Sequence, residues 1–178
     1  MSRVKLVEPT SINGEHGEVL KSIKGAFGTV PNMFKAIGNS HAGLESMWTS
    51  FGALGKGTIG SKLGEQIAVY VADLNRCEYC LAAHTVLGKN AGASAEEMSE
   101  AQRGKAQDSK TQAALVFTKK LVLNRGAVED SDVEAVRDAG FNDSEITEIL
   151  AHVALNIFTN YTNVAFNVPV DFPKVSLT

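Results

Sequence analysis

The chain has 178 residues, 44% of them hydrophobic and 21% charged, with a formal net charge of −3. That length suits one domain able to bury roughly 70% of its unfolded surface without a staple. No basic excess seeks a phosphate backbone, and no uncharged apolar run approaches the ~20 residues of a membrane span, so neither nucleic acid nor a bilayer is an expected partner.

The first residues, MSRVKLVEPTSING, lack the continuous apolar segment of an export signal, and a cytoplasmic location is expected. TVPNMFKAIG (29–38) predicts a turn into a short helix, followed by a helix over about 41–54. Gly52, Gly55, Gly57 and Gly60 then break the chain, with Ser61 as the expected cap of the next helix. Within the break, GKGTIG (55–60) matches the spacing GxGxxG. A helical pattern precedes it where a dinucleotide fold needs a strand, so no cofactor is expected there.

IAVYVADL (67–74) is rich in strand-favouring residues, but Leu63, Ile67, Tyr70, Val71 and Leu74 recur at helical spacing, which predicts a helix over 61–75. Capping boxes are expected at Ser94/Glu97, Ser109/Gln112, Ser131/Glu134 and Asn142/Glu145. Ile146, Ile149, Leu150, Val153, Ile157 and Tyr161 then form one apolar face of a last helix reaching about residue 166. Its other face carries Glu145, Glu148, His152, Asn156 and Asn160, and solvent is the expected surrounding of that stripe, ahead of a subunit interface or an active-site wall. The ending NVPVDFPKVSLT (167–178) holds two prolines and predicts an extended tail, lying along its own body or a neighbouring subunit. The whole describes an all-α, single-domain helical array.

Chemistry concentrates in NRCEYCLAAH (75–84), which contains the only two cysteines of the chain. With a helix starting near Arg76 or Cys77, the side chains of Cys77, Cys80 and His84 fall within an arc of about 60°. Orphan N–H groups of the first turn and a nearby imidazole both favour a thiolate, and CxxC thiols span pKa values of roughly 3.5 to 7.5 against about 8.5 for free cysteine. Two thiols in reach of each other can close a disulfide after a first oxidation to sulfenic acid. Glu65, beside the small residues Ala68 and Ala72, is a candidate carboxylate for orienting the imidazole. Zinc ligation by the same groups, and simple packing of the cysteines, remain alternatives at this level. Among His16, His41 and His152, only His152 lies on a strongly periodic helix, and a solvent-facing role is expected for it.

The segment SKLGEQIAVYVADLNRCEYCLAAH (61–84) resembles the core motif of the alkylhydroperoxidase D-like branch of the carboxymuconolactone decarboxylase family. The likeness is a glutamate at fixed distance before CxxC, then three residues and a histidine; VPNMFKA and YTNVAFNVPVDFP (161–173) are similar to its peroxidase-related members. The resemblance implies one helical domain over 1–178 with its core motif at 61–92, assembled into homo-oligomers, often trimers or hexamers. It also implies a thiol-dependent peroxidase that needs no haem, flavin or metal and is re-reduced by a thiol or dithiol protein. By position, Cys80 corresponds to the thiol that attacks peroxide, Cys77 to the resolving thiol, and His84 with Glu65 to a proton relay. The chain departs from the alkylhydroperoxidase pattern at Tyr79, where a second histidine is expected, and a phenol of pKa about 10 cannot replace an imidazole base. Lactone decarboxylation is disfavoured, since that branch lacks the CxxC. Alternatives are an oligomeric zinc-binding or redox-sensing protein without catalysis, and a cofactor-free lyase on the same fold.

Overall fold

The computed structural model describes residues 1–178 and contains helices and no strand. In chain order these are α1 (Gly14–Phe27), α2 (Asn32–Ile37), α3 (His41–Leu54), α4 (Ser61–Leu74), α5 (Glu78–Asn90), α6 (Ala95–Gln102), α7 (Ser109–Leu123), α8 (Asp130–Asp138) and α9 (Asp143–Phe166). The all-α expectation holds, including the short helix after Pro31.

Local chemistry sets the boundaries. Ser94/Glu97 and Asn142/Glu145 form the expected capping boxes, each side chain satisfying the other residue's N–H. The other two expected boxes are displaced. Helix α7 is capped by Asp108, whose carboxylate accepts from Thr111 N at 2.7 Å, while Gln112 turns away and accepts from Ala106 N. Helix α8 is boxed by Glu129 and Asp132 in place of Ser131 and Glu134. In both helices an acidic side chain a little earlier in the chain outcompetes serine, because its charge also meets the positive end of the helix dipole. Ser61 is not a cap either: Gly60, at φ +80°, holds that position without a side-chain bond.

Helix α4 is the hub, packed by α5, α6, α7 and α9. Ile67, Val69, Val71 and Ala72 are all fully buried, so the helix is apolar nearly all round. This is why the stretch 67–74 is so rich in strand-favouring residues: enclosed on every side, it carries few polar residues, and the spacing of its apolar ones is what marks it as helix.

Helix α9 departs most from expectation. Ile149 and Val153 are in the core, but Leu150 and Tyr161 are exposed, together with Phe158 and Val164. The buried stripe of its second half is polar: Asn156, Thr159, Asn160 and Asn163 are all nearly inaccessible to solvent. The expected solvent face of Asn156 and Asn160 is therefore an internal wall. Partners supplied by distant parts of the chain make this affordable, as where Asn75 Nδ2 donates to Asn160 Oδ1 at 3.0 Å.

The tail is extended as expected and lies along its own body. Asp171 accepts from Asn32 N at 2.8 Å, Pro169 O accepts from Asn32 Nδ2, and the Thr178 N–H and hydroxyl both donate to Asp73. No helix is long and apolar enough to cross a membrane.

Candidate active site

The turn between α4 and α5 sets the site. Arg76 adopts the left-handed region at φ +56°, which swings the chain so that Cys77 N donates to Ala72 O at 2.8 Å. Cys77 then stands as the N-cap of α5, its sulfur accepting from Cys80 N at 3.2 Å. The helix thus begins one residue after the nearer of the two starts read from the sequence. Cys77 and Cys80, with Cα atoms 5.3 Å apart, are joined in a disulfide.

Of the expected site residues, the structure brings all four to one place. His84 Nδ1 and Glu65 Oε2 are 2.7 Å apart, linking α5 to α4, with the His84 side chain 8% and that of Glu65 22% exposed. That contact fixes the imidazole by one nitrogen and leaves Nε2 for proton exchange. No group of three or more His, Cys, Asp and Glu side chains converges in an arrangement able to hold a metal ion. In this disulfide form each sulfur is bonded to the other, and the Glu65 carboxylate is paired with His84.

Cys80, His84 and Glu65 line a cavity of about 200 Å³. Its opposite wall is aromatic, formed by Phe27, Phe34, Trp48 and Phe51, with Phe34 set edge-on to Trp48 at 5.7 Å. Both cysteines are buried, and of the two only Cys80 lines this space.

Tyr79 also lines the cavity but is not poised as a base. Burial foremost, and the carboxylate of Asp171 besides, push its phenol far above the usual value of 10.0. Its oxygen accepts from Met33 N at 3.2 Å and its ring meets Phe172 edge-on at 5.7 Å. The residue thus buttons α2 and the tail over the cavity.

Two groups on α9 join the site without having been expected there. Asn163 Nδ2 donates to Cys80 Sγ at 3.2 Å. His152 is half-buried rather than solvent-facing, and it packs so tightly on α4 that a Cβ at Gly64 would lie 2.9 Å from its Cε1. Burial holds its pKa below the usual 6.5, against the upward pull of Glu65 and Glu148; His84 pushes the same way as burial. Glu148 itself folds onto the GKGTIG loop, accepting from Thr58 N at 2.7 Å and Ile59 N at 3.0 Å. Those amides, which a phosphate would have needed, are occupied by the chain's own carboxylate. His16 and His41 lie against each other with tilted rings, centroids 5.2 Å apart, and take no part in the cavity wall.

One signal for α9 was present in the sequence. Residues 149–170 contain no Asp, Glu, Lys or Arg, whereas a solvated helix face is normally charged. An amide stripe without charges on such a helix marks a buried polar seam.

Residues 44–119, which span the α3-to-α7 core and contain Glu65, both cysteines and His84, match the family model described as the carboxymuconolactone decarboxylase family. This core of the chain is similar to that family. No curated protein matches it in sequence. Among solved structures, the chain is similar to a peroxidase-related protein from Silicibacter sp. TM1040, with 24% identity over 94% of this chain and 91% of that one and a TM-score of 0.83. A second, described as having an alkylhydroperoxidase AhpD core, is a peroxidase-related protein from Ralstonia eutropha JMP134. It has 22% identity over 96% and 92% of the two chains and a TM-score of 0.85. The debrominase Bmp8 shares the architecture at 16% identity, with a TM-score of 0.81 over 94% and 91%. A cysteine-to-alanine variant of it has been seen in complex with 2,3,4-tribromopyrrole. These likenesses establish the alkylhydroperoxidase D-like fold, and they show that the fold serves more than one chemistry.

Proposed function

We propose that this protein is a thiol-dependent peroxidase that reduces hydrogen peroxide or organic hydroperoxides through a Cys77/Cys80 dithiol and disulfide cycle. The observation that carries the reading is Cys80 on the wall of the cavity, which an imidazole already oriented by a carboxylate also lines. The Cys80 thiolate attacks the terminal peroxide oxygen; an S–O bond forms, the O–O bond breaks, and the alkoxide leaves as alcohol after taking a proton from His84. The Cys77 thiol then attacks the sulfenic sulfur, forming the S–S bond and releasing water. A thiol or dithiol protein returns the two electrons, which fits work in a reducing compartment such as the cytoplasm. No haem, flavin or metal has a part in this cycle. The exposed apolar residues of α9 support assembly into a homo-oligomer, a trimer or hexamer by family resemblance.

The parent protein is expected to consume cumene hydroperoxide with dithiothreitol as reductant, and Cys80→Ser and Cys77→Ser are each expected to stop turnover. Parent-like rates in both variants would sink the proposal.

The aromatic wall favours one second reading, reductive dehalogenation of a small halogenated aromatic ring, the chemistry named for Bmp8. There the dithiol supplies two electrons and a proton, a C–H bond replaces the carbon–halogen bond, and halide leaves as the disulfide forms. Stoichiometric bromide release from tribromopyrrole, with no peroxide consumption, would select this reading.

A further inference from the structure

A buried amide on α9 faces the sulfur that the proposed cycle uses, and stability alone does not account for it. Asn163 is 3% exposed. Both hydrogens of its amide nitrogen are committed, one to Thr159 O at 3.0 Å and one to Cys80 Sγ at 3.2 Å. The first bond also fixes the orientation of the amide, since Oδ1 in that place would set two acceptors against each other. Oδ1 is consequently left buried with no partner. An orphaned buried carbonyl costs about 1 to 3 kcal/mol, and an apolar side chain of the same size would avoid that cost. Asn156 Oδ1 and Asn160 Nδ2 in the same seam are likewise without partners, but Asn163 alone of the three amides donates to the reacting atom.

The reward differs between redox states. A disulfide sulfur is a weak acceptor and gains little from the Asn163 N–H. A thiolate at the same position carries a full negative charge, and hydrogen bonds to an ionised acceptor are roughly twice as strong as neutral ones. The other titratable groups around Cys80 are Glu65 from α4, His84 and Tyr79 from α5 and, at the far end of the seam on α9, His152. No Lys or Arg lines the cavity, so Asn163 is a fixed donor that needs no protonation to act.

We propose that Asn163 is a catalytic residue whose amide N–H stabilises the reduced Cys80 as thiolate, ready for attack. This rests on the dithiol reading above but names a group outside the family's motif. Its consequence is twofold: more Cys80 is ionised near neutral pH, and the reduced form of the pair is favoured over the disulfide.

The test uses full-length protein in a Cys77→Ser background, where serine can still cap α5 and iodoacetamide reads Cys80 alone. The rate of carboxamidomethylation is followed against pH with and without Asn163→Leu. We expect the midpoint of the profile to move up by about one pH unit, and the rate at pH 7 to fall about tenfold, with the alkaline plateau retained. Asn163→Ala, which does not crowd the seam, is expected to shift the midpoint in the same direction, and circular dichroism identifies which variants are folded. Superimposable profiles in a folded variant would overturn the role of Asn163, whatever the protein does to peroxide. A parent that ignores peroxide while showing the shifted profiles would instead overturn the peroxidase reading and leave Asn163 as the thiolate's donor.

Discussion

Tyr79→Phe is the sharpest test of how the cavity is closed. The substitution keeps the ring, and with it the edge-on contact to Phe172, and deletes one oxygen in a residue that is 4% exposed. What is lost is the bond from Met33 N at 3.2 Å, which leaves a buried backbone donor in the first turn of α2 without its acceptor. Leaving such a donor unpaired costs about 1 to 3 kcal/mol, and the length of the bond, 3.2 Å, argues for the lower half, about 1.5 kcal/mol. For a chain of this length each kcal/mol moves the melting temperature by roughly 2 to 4 °C, so a fall of about 3 to 6 °C is expected at neutral pH. Differential scanning calorimetry of parent and variant, both in the disulfide form, measures this directly. A change of under about 1 °C would refute the assignment of Tyr79 as the button that holds α2 and the tail, because the deleted bond would then be contributing nothing.

The half-buried His152 makes a different kind of claim. Its pKa is held below 6.5 by burial, so between the folded value and 6.5 the unfolded chain binds a proton that the folded chain does not. Stability from this group is complete above about pH 6.5 and declines as pH falls through the folded value, and the drop in melting temperature from pH 7 to pH 5 is expected to be smaller in His152→Gln. Equal drops in parent and variant would count against the burial assigned to this ring. Asp73 anchors the end of the tail through Thr178 and Gln102, and against the upward push of burial these bonds hold its pKa below 3.8. Asp73→Ala is expected to release the tail, read as faster proteolytic cleavage at neutral pH within residues 173–178 while the helical core survives; an unchanged digestion pattern would contradict the anchoring.

Much of the helical frame was readable because its signals are local. Serine and asparagine caps with a glutamate three residues on are satisfied within one turn, and α6 and α9 begin where that chemistry places them. The displaced starts of α7 and α8 are also local in origin, a competition between serine and a nearby acidic residue that pattern matching decides wrongly. The contact between Glu65 and His84 was readable as a candidate since both lie on well-defined helices joined by a short turn. The inner face of α9 was not. Hydropathy sends Asn156, Asn160 and His152 to solvent, and only partners remote in sequence, Asn75 and the helices α4 and α5, turn that stripe inward. For the same reason Tyr79 read as a missing base: nothing near it in sequence announces Met33 and Asp171 as its neighbours.

The polar seam of α9 bears on how the protein can move. A helix packed only through aliphatic side chains can roll about its axis and find new contacts of similar worth, since dispersion and burial have little directional preference. Asn160 and Asn163 remove that freedom, because a roll of one residue's worth, 100°, carries each amide away from its partner and strands it among apolar atoms. In the proposed cycle, opening the Cys77–Cys80 bond would take place against a helix locked in azimuth, and the changes that accompany it would fall to the turn at Arg76 and the first turn of α5.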